Sequence, residues 1–155
     1  MPNPLSHYDI FVSYTKEDSD FVRRLVEALR AKQMTVWYDR GELRLGDAIL
    51  RDLEDGLEHS DLFVLVLSPE YLKKAWSQFE TGVALGRRGK NRILPIFLRH
   101  FDHAELVQFA PLVADTASID ADKLSLEEVA TSISETIRRR GEGSRNGHEQ
   151  SHDVS

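Results

Sequence analysis

The chain has 155 residues, of which 41% are apolar and 30% charged, with no cysteine and a formal net charge of −6. This length and balance are typical of a single globular domain with one core. The lack of cysteine excludes disulfides, thiol catalysis and thiolate zinc sites. The negative charge disfavours nucleic acid as a partner, and no apolar run approaches the ~20 residues that span a bilayer. Because the N-terminus also lacks a signal-peptide pattern, we expect a cytoplasmic protein that binds neither nucleic acid nor membrane.

Strand and helix patterns alternate through the first half of the chain. The first helix has apolar residues on one face and charged residues opposite, at a helical spacing. In chain order, the predicted elements are a strand at 8–13, a helix at 15–32, a strand at 35–38, a loop at 40–46, a helix capped by Asp47, and a buried strand at 62–67.

The second half continues the alternation. Ser68 is suited to cap a helix that has Pro69 at its first position, where the missing N–H is not needed. A strand is predicted at 92–98, a short helix with loop at 100–113, and an edge strand at 116–119. Ser125 and Glu128 form a capping-box pattern at the start of a last helix.

Five strands that alternate with helices predict a parallel sheet with helices on both faces, because parallel strands need crossover connections. The expected fold is therefore α/β, flavodoxin-like, with strand order 2-1-3-4-5. Ligands of such sheets bind beyond the carboxyl ends of strands 1 and 3, where the order reverses. We expect three regions: a flexible lead-in at 1–7, the domain at 8–140, and a disordered tail at 141–155.

This geometry predicts that a set of polar residues lies at the ligand crevice. The helix after the third strand also carries Trp76 and Glu80, which are four residues apart and so share a face. An aromatic ring beside a carboxylate suits a flat cationic ligand, but the same pair is also typical of a core tryptophan next to a solvated glutamate. The crevice residues after strands 1 and 3 are Ser13, Tyr14, Thr15, Lys16 and Ser68.

Several functions of this fold class are excluded by the residues at the strand ends. A phospho-acceptor receiver needs acidic residues where Ser13, Tyr14 and Ser68 stand. The chain has no Walker loop, no Gly-x-Gly-x-x-Gly motif, no hydroxyl-rich flavin phosphate loop and no Gly-x-Ser-x-Gly elbow. The histidine pairs His100/His103 and His148/His152 lack an obvious third ligand, so we expect no metal site.

Five segments, in this order and spacing, resemble the Toll/interleukin-receptor (TIR) domain family, and its bacterial NAD-cleaving members in particular. The resemblance covers roughly residues 8–137. Its segments are YDIFVSY at 8–14, VWYD at 36–39, LRLG at 43–46, SDLFVLVLSPEY at 60–71 and WSQFE at 76–80.

The resemblance implies cleavage of the nicotinamide–ribose bond of NAD+, which is the substrate, with no separate cofactor. By the same resemblance Glu80 is the catalytic carboxylate, and Trp76 and Tyr14 line the bound rings. Asp39 and Arg44 are implied to position the dinucleotide. Four further positions are implied to meet the diphosphate or ribose, or to line the crevice: Ser13, Thr15, Lys16 and Ser68.

The sequence also departs from the family in ways that favour one branch over another. The loop at 40–46 lacks the proline-glycine of receptor and adaptor members, and no Phe-Trp pair occurs. Self-association through this loop and a downstream effector protein are partners that the resemblance implies. Two functions remain open: an NAD+ glycohydrolase or ADP-ribosyl cyclase in immune or anti-phage defence, and a non-catalytic module that acts by homotypic association.

Overall fold

The computed structural model describes residues 7–38, 42–43, 56–75, 92–109 and 117–139. The predicted tail, the first six residues of the lead-in and the predicted cap Asp47 lie outside the described residues. The strands are β1 Tyr8–Thr15, β2 Val36–Trp37, β3 Glu42–Leu43, β4 Ser60–Leu67, β5 Ile93–Phe97 and β6 Ile119–Asp120. The helices are α1 Ser19–Ala31, α2 at 56–59, α3 Pro69–Ala75, α4 His103–Phe109 and α5 at 126–139.

The strands form one parallel sheet in the order β2-β1-β4-β5-β6. Strands β4, β5 and β6 correspond to the predicted third, fourth and fifth strands, so this order confirms the predicted 2-1-3-4-5 arrangement. Strand β3 is an addition, because Glu42 and Leu43 pair in parallel with Tyr14 and Thr15 of β1. It lies within the predicted loop at 40–46, and a strand of two residues is too short to show an alternating pattern.

Both faces of the sheet are covered, and its central strand β4 is apolar from Leu62 to Leu67. Residues 62–67 of β4 are all buried, as expected for a parallel strand packed on two sides. Along β1, Ile10, Val12 and Tyr14 pack with α1 and α5, whereas Phe11 packs on the opposite face with Trp37 and Tyr71 of α3. This alternation decides which side chains can meet at the end of β1.

Two predicted helix caps are confirmed, at Ser68 and at Ser125 with Glu128, whereas the first helix begins later than predicted. Ser68 Oγ accepts a hydrogen bond from Tyr71 N at 3.3 Å, and Ser125 and Glu128 exchange reciprocal bonds of 3.0 and 3.1 Å. The bond from Ser125 N to the Glu128 carboxylate is the main cause that lowers the pKa of Glu128. Helix α1 begins at Ser19 rather than at Thr15, because a 3-10 turn at Lys16–Asp18 separates β1 from the helix.

Candidate functional site

The carboxyl ends of β1, β4, β5 and β6 lie along one edge of the sheet, because these neighbouring strands are parallel. The connection from β1 leads to β2 on one side, and β4 flanks β1 on the other. The chain order therefore reverses at β1, which is the position where open α/β sheets bind ligands. We call this side of the sheet the carboxyl edge.

Tyr71 of α3 brings together two of the predicted site residues. Its hydroxyl oxygen lies 2.8 Å from Ser13 Oγ, and its backbone N–H donates to Ser68 Oγ. All three side chains are at most 1% exposed. The two serines therefore line the floor of the switch point, and both hydroxyls already have protein partners. Sequence reasoning missed Tyr71, although its place one turn into a helix that starts at the crevice was a usable signal.

Tyr14 lies on the other face of the sheet from Ser13. Its ring is 6.3 Å from that of Tyr38, and both rings line an open cavity of about 300 Å³ together with Ser19, Asp20 and Arg23. Because consecutive strand residues point to opposite faces, this cavity is on the α1 side, away from α3. The structure thus separates Tyr14 from the serines with which it was grouped.

Thr15 and Lys16 follow Tyr14 and differ in exposure. The Thr15 side chain is fully buried, and its hydroxyl donates to Asp18 Oδ2 at 3.2 Å. Lys16 is exposed, and within the described residues it makes no ion pair. Of the predicted residues after β1, Lys16 is the one that presents a polar group to solvent.

A network of charged side chains crosses the carboxyl edge, and sequence reasoning did not find it. Arg99, just after β5, lies 3.0 Å from Asp18 Oδ1 through its Nε and also pairs with Glu70 of α3. Lys74 of α3 pairs with Glu17 at 2.9 Å. The Lys74 hydrogen bond is the main cause that lowers the pKa of Glu17 to about 2. These pairs join residues far apart in sequence, so no local pattern indicates them.

Four predicted site residues lie outside the described residues: Asp39, Arg44, Trp76 and Glu80. Trp76 directly follows Ala75, the last residue of α3. Among the described residues, no three metal-ligating side chains cluster. No helix in the described ranges is long and apolar enough to cross a membrane.

The strand order and the position of its switch point define a flavodoxin-like α/β protein. Residues 10–135 match the family described as TIR domain. The chain therefore belongs to the TIR domain family, which confirms the resemblance seen in the sequence.

Three bacterial relatives show the range of names that similar proteins carry. The 2' cyclic ADP-D-ribose synthase BtTIR of Bacteroides thetaiotaomicron is 32% identical over 86% of this chain and 47% of that protein. The 2' cyclic ADP-D-ribose synthase AbTIR of Acinetobacter baumannii is 33% identical over 90% of this chain and 53% of its own length. The NAD(+) hydrolase PdTIR of Paracoccus denitrificans is 37% identical over 84% of this chain and 44% of that protein. The chain thus spans about half the length of the curated relatives it matches.

Solved structures support the same fold. The TIR domains of the activated Roq1 resistosome superpose with a TM-score of 0.60 at 18% identity, over 83% of this chain and 98% of that one. The RPS4 and RRS1 TIR domain heterodimer superposes with a TM-score of 0.60 at 17% identity, over 83% of this chain and 96% of that one. A diflavin flavoprotein from Nostoc sp. superposes with a TM-score of 0.55 at 14% identity, over 86% of this chain and 96% of that one. At these identities the likeness shows the fold alone.

Proposed function

We propose that this chain cleaves the bond between nicotinamide and ribose in NAD+, as a glycohydrolase or an ADP-ribosyl cyclase. The observation that carries the proposal is the set of relatives, 32–37% identical over 84–90% of this chain, that are named NAD(+) hydrolase or 2' cyclic ADP-D-ribose synthase. The matched residues include the whole carboxyl edge, from the turn after β1 to the turn after β6.

The proposed reaction needs charge stabilisation more than it needs a strong acid. The bond from ribose C1′ to the nicotinamide nitrogen breaks, and its electron pair leaves with nicotinamide, which becomes neutral. The ribose passes through an oxocarbenium-like state that a nearby carboxylate stabilises, as in glycosidases. We assign that carboxylate to Glu80.

The product depends on which oxygen then bonds to C1′. Water, after losing a proton, gives ADP-ribose. A hydroxyl of the same ADP-ribose, after losing its proton, gives a cyclic product. In both cases NAD+ is consumed as the substrate, and the proposal requires no separate cofactor.

The remaining site residues have supporting roles in the proposal. Trp76 lines the bound rings, and Asp39 and Arg44 position the dinucleotide. Lys16 meets the diphosphate, which is supported by its exposed cationic side chain. In the proposal Tyr14 contacts one of the bound rings from the α1 side of the sheet, where Arg23 lines the same cavity.

The two serines and Thr15 have a more restricted role. Ser13 and Thr15 are at most 1% exposed and their hydroxyls have protein partners. Ser68 caps α3. In the proposal these three residues do not contact the substrate with their side chains. Their hydrogen bonds fix the backbone that forms the ribose side of the crevice.

We further propose that the chain acts in the cytoplasm, in an immune or anti-phage signalling pathway, and passes its product to an effector protein. Self-association through the segment at 40–46 is part of this proposal. It is supported by the pairing of Glu42 and Leu43 with β1, which ties that segment to the switch point. A site completed between protomers would make turnover depend on protein concentration.

A second candidate function is a non-catalytic interaction module. The heterodimer of two TIR domains among the similar solved structures favours it, as does the burial of Ser13 and Thr15. This alternative predicts that function depends on the segment at 40–46 and is indifferent to Glu80.

Incubation of the purified chain with NAD+, over a series of protein concentrations and with mass spectrometry of the products, separates the two candidates. Glu80→Gln should abolish nicotinamide release. The matched control Glu27→Gln, which changes an exposed carboxylate on α1, should leave it unchanged. Absence of turnover at high protein concentration, or equal turnover by Glu80→Gln, would refute the enzymatic proposal.

A further inference from the structure

Two consecutive residues after β5 adopt a left-handed backbone conformation that is unusual for side chains with a Cβ. Arg99 has φ 58° and His100 has φ 57°. Each such residue costs about 1–2 kcal/mol relative to an ordinary conformation. Glycine would adopt this conformation freely, so the arginine must be retained there for another reason or its strain must be offset.

Asp122, in the turn after β6, holds this strained pair in place. Its Oδ1 accepts a hydrogen bond from Arg99 N at 2.9 Å, and its Oδ2 accepts one from His100 N at 2.6 Å. Both backbone donors are therefore satisfied by a single carboxylate. The segment has one defined geometry, and it directs the Arg99 side chain along the carboxyl edge.

The Arg99 guanidinium reaches two elements that flank the switch point. Its Nε lies 3.0 Å from Asp18, whose side chain is only 1% exposed, and it also pairs with Glu70 in the first turn of α3. Asp18 belongs to the turn after β1, and α3 follows β4. A single side chain thus joins the two walls of the switch point, the position where open α/β sheets bind ligands.

A second ion pair joins the same two walls. Lys74, near the end of α3, lies 2.9 Å from Glu17, next to Asp18. Both side chains are at most 30% exposed, so this pair is less screened than one on the open surface. The turn at Lys16–Asp18 is therefore tied to both ends of α3.

We propose that Arg99 is a positioning residue: held by Asp122, it binds Asp18 and Glu70 and so sets the distance between the turn after β1 and helix α3. In this backbone conformation the Arg99 guanidinium lies across the end of β4, within reach of both acids. The expected effect of Arg99 on turnover rests on the proposed function, but its structural role does not depend on any substrate.

Two glycine substitutions at adjacent positions provide the matched test. Arg99→Gly and His100→Gly both relieve a left-handed conformation, but only the first removes the bridge, because the His100 side chain is 96% exposed and lies 3.8 Å from Asp122. Amide hydrogen exchange of residues 16–18 and 69–75 is measured in both. Arg99→Gly should raise exchange in both segments by about tenfold, whereas His100→Gly should leave it unchanged.

Turnover of NAD+ supplies the functional readout. With the walls no longer aligned, Arg99→Gly should lower kcat by about tenfold to a hundredfold, with a much smaller change in KM. Arg99→Lys can pair with one acid at a time and should recover part of the loss. Equal exchange in the two glycine variants would overturn the inference, and so would an unchanged kcat in Arg99→Gly.

A further variant covers the case in which Arg99→Gly is too unstable to assay, since it leaves the buried Asp18 carboxylate without its cation. The double variant Asp18→Asn with Arg99→Gln removes both charges and should fold, yet it should still exchange faster at 69–75 and turn over more slowly. Wild-type exchange rates in this double variant would overturn the inference. A wild-type chain that does not cleave NAD+ would refute only the proposed function, because the exchange comparison is made without substrate.

Discussion

The two edges of the sheet are held together by different kinds of contact. At the amino edge, where the parallel strands begin, side chains mostly satisfy backbone groups: Asp9 Oδ2 accepts from Thr35 N at 2.8 Å, and Thr35 Oγ1 accepts from Asp9 N at 2.9 Å. Arg92 donates to the carbonyl oxygens of Leu57 and Ser60. These contacts close the ends of elements, and one left-handed residue, Gln33 with φ 69°, also lies at this edge, in the turn before β2.

At the carboxyl edge several contacts are pairs of opposite charges, and Asp122 also accepts from the backbone of Arg99 and His100. Arg99, Asp18 and Glu70 form one group, and Lys74 with Glu17 forms another. Backbone strain is also found here, at Arg99 and His100. Local rules of sequence and structure are broken mainly where function requires a fixed geometry. From this contrast we expect the amino edge to serve mainly stability and the carboxyl edge to serve the site.

The largest expected effect is at the amino edge. A Cβ on Gly56 of α2 would lie 2.7 Å from Phe63 Cδ2 and 3.0 Å from Phe11 Cδ1, and both rings are buried in the core. Gly56→Ala should therefore lower the free energy of unfolding in urea by about 2–3 kcal/mol. NAD+ turnover per folded molecule should be unchanged. A loss of turnover in the folded fraction would show that the two edges are not separate in function.

A smaller effect is expected for Arg92→Met, also at the amino edge. The change keeps an unbranched apolar stem but removes the guanidinium, which leaves the carbonyls of Leu57 and Ser60 without their donor. We expect a loss of about 1.5 kcal/mol in urea unfolding, again with normal turnover. Unchanged stability would mean that water replaces the guanidinium at no cost.

Asp122→Asn, at the carboxyl edge, should lower turnover more than it lowers stability. The amide oxygen can still accept one of the two N–H bonds from Arg99 and His100, so unfolding should change by only about 1 kcal/mol. Because the segment that aims Arg99 is loosened, kcat should fall further than in either amino-edge variant. Comparison of kcat with the urea midpoint in all three variants checks this, and a turnover that simply follows stability would contradict it.

The smallest effect concerns Glu17 and depends on pH. Its pKa is lowered to about 2, chiefly by the hydrogen bond from Lys74, from an ordinary value of 4.5. The stabilisation from the ionised carboxylate is therefore present above pH 4.5 and is lost as the pH falls through 4.5 towards 2.

Thermal unfolding of Glu17→Gln tests this dependence. The wild-type Tm should exceed that of Glu17→Gln at pH 7, and the two values should converge near pH 2. The control Glu27→Gln, at an exposed position that makes no ion pair within the described residues, should show no such convergence. A Tm difference that stays constant between pH 7 and pH 2 would exclude the Glu17–Lys74 pair as its source.

Much of the fold could be predicted from the sequence, because the signals that specify it are local. Alternating apolar runs and amphipathic segments predicted the parallel sheet and its order, and the capping patterns at Ser68 and Ser125 predicted two helix starts that the structure confirms. The separation of Ser13 from Tyr14 was also available in principle, since adjacent strand residues face opposite sides. The assignments of Trp76 and Glu80 stay predictions.

The sequence by itself determined the family, through its resemblance to known motif segments, and the alternation of strands and helices, from which the common 2-1-3-4-5 order and its switch point were expected. Only the tertiary structure decided which charged residues meet there. Arg99 is separated from Asp18 and from Glu70 by long stretches of chain, and it reaches them only because β1, β4 and β5 are neighbours and α3 starts above β4. A charge pair between distant loops leaves no period in the sequence, so its existence depends on how the strands are assembled.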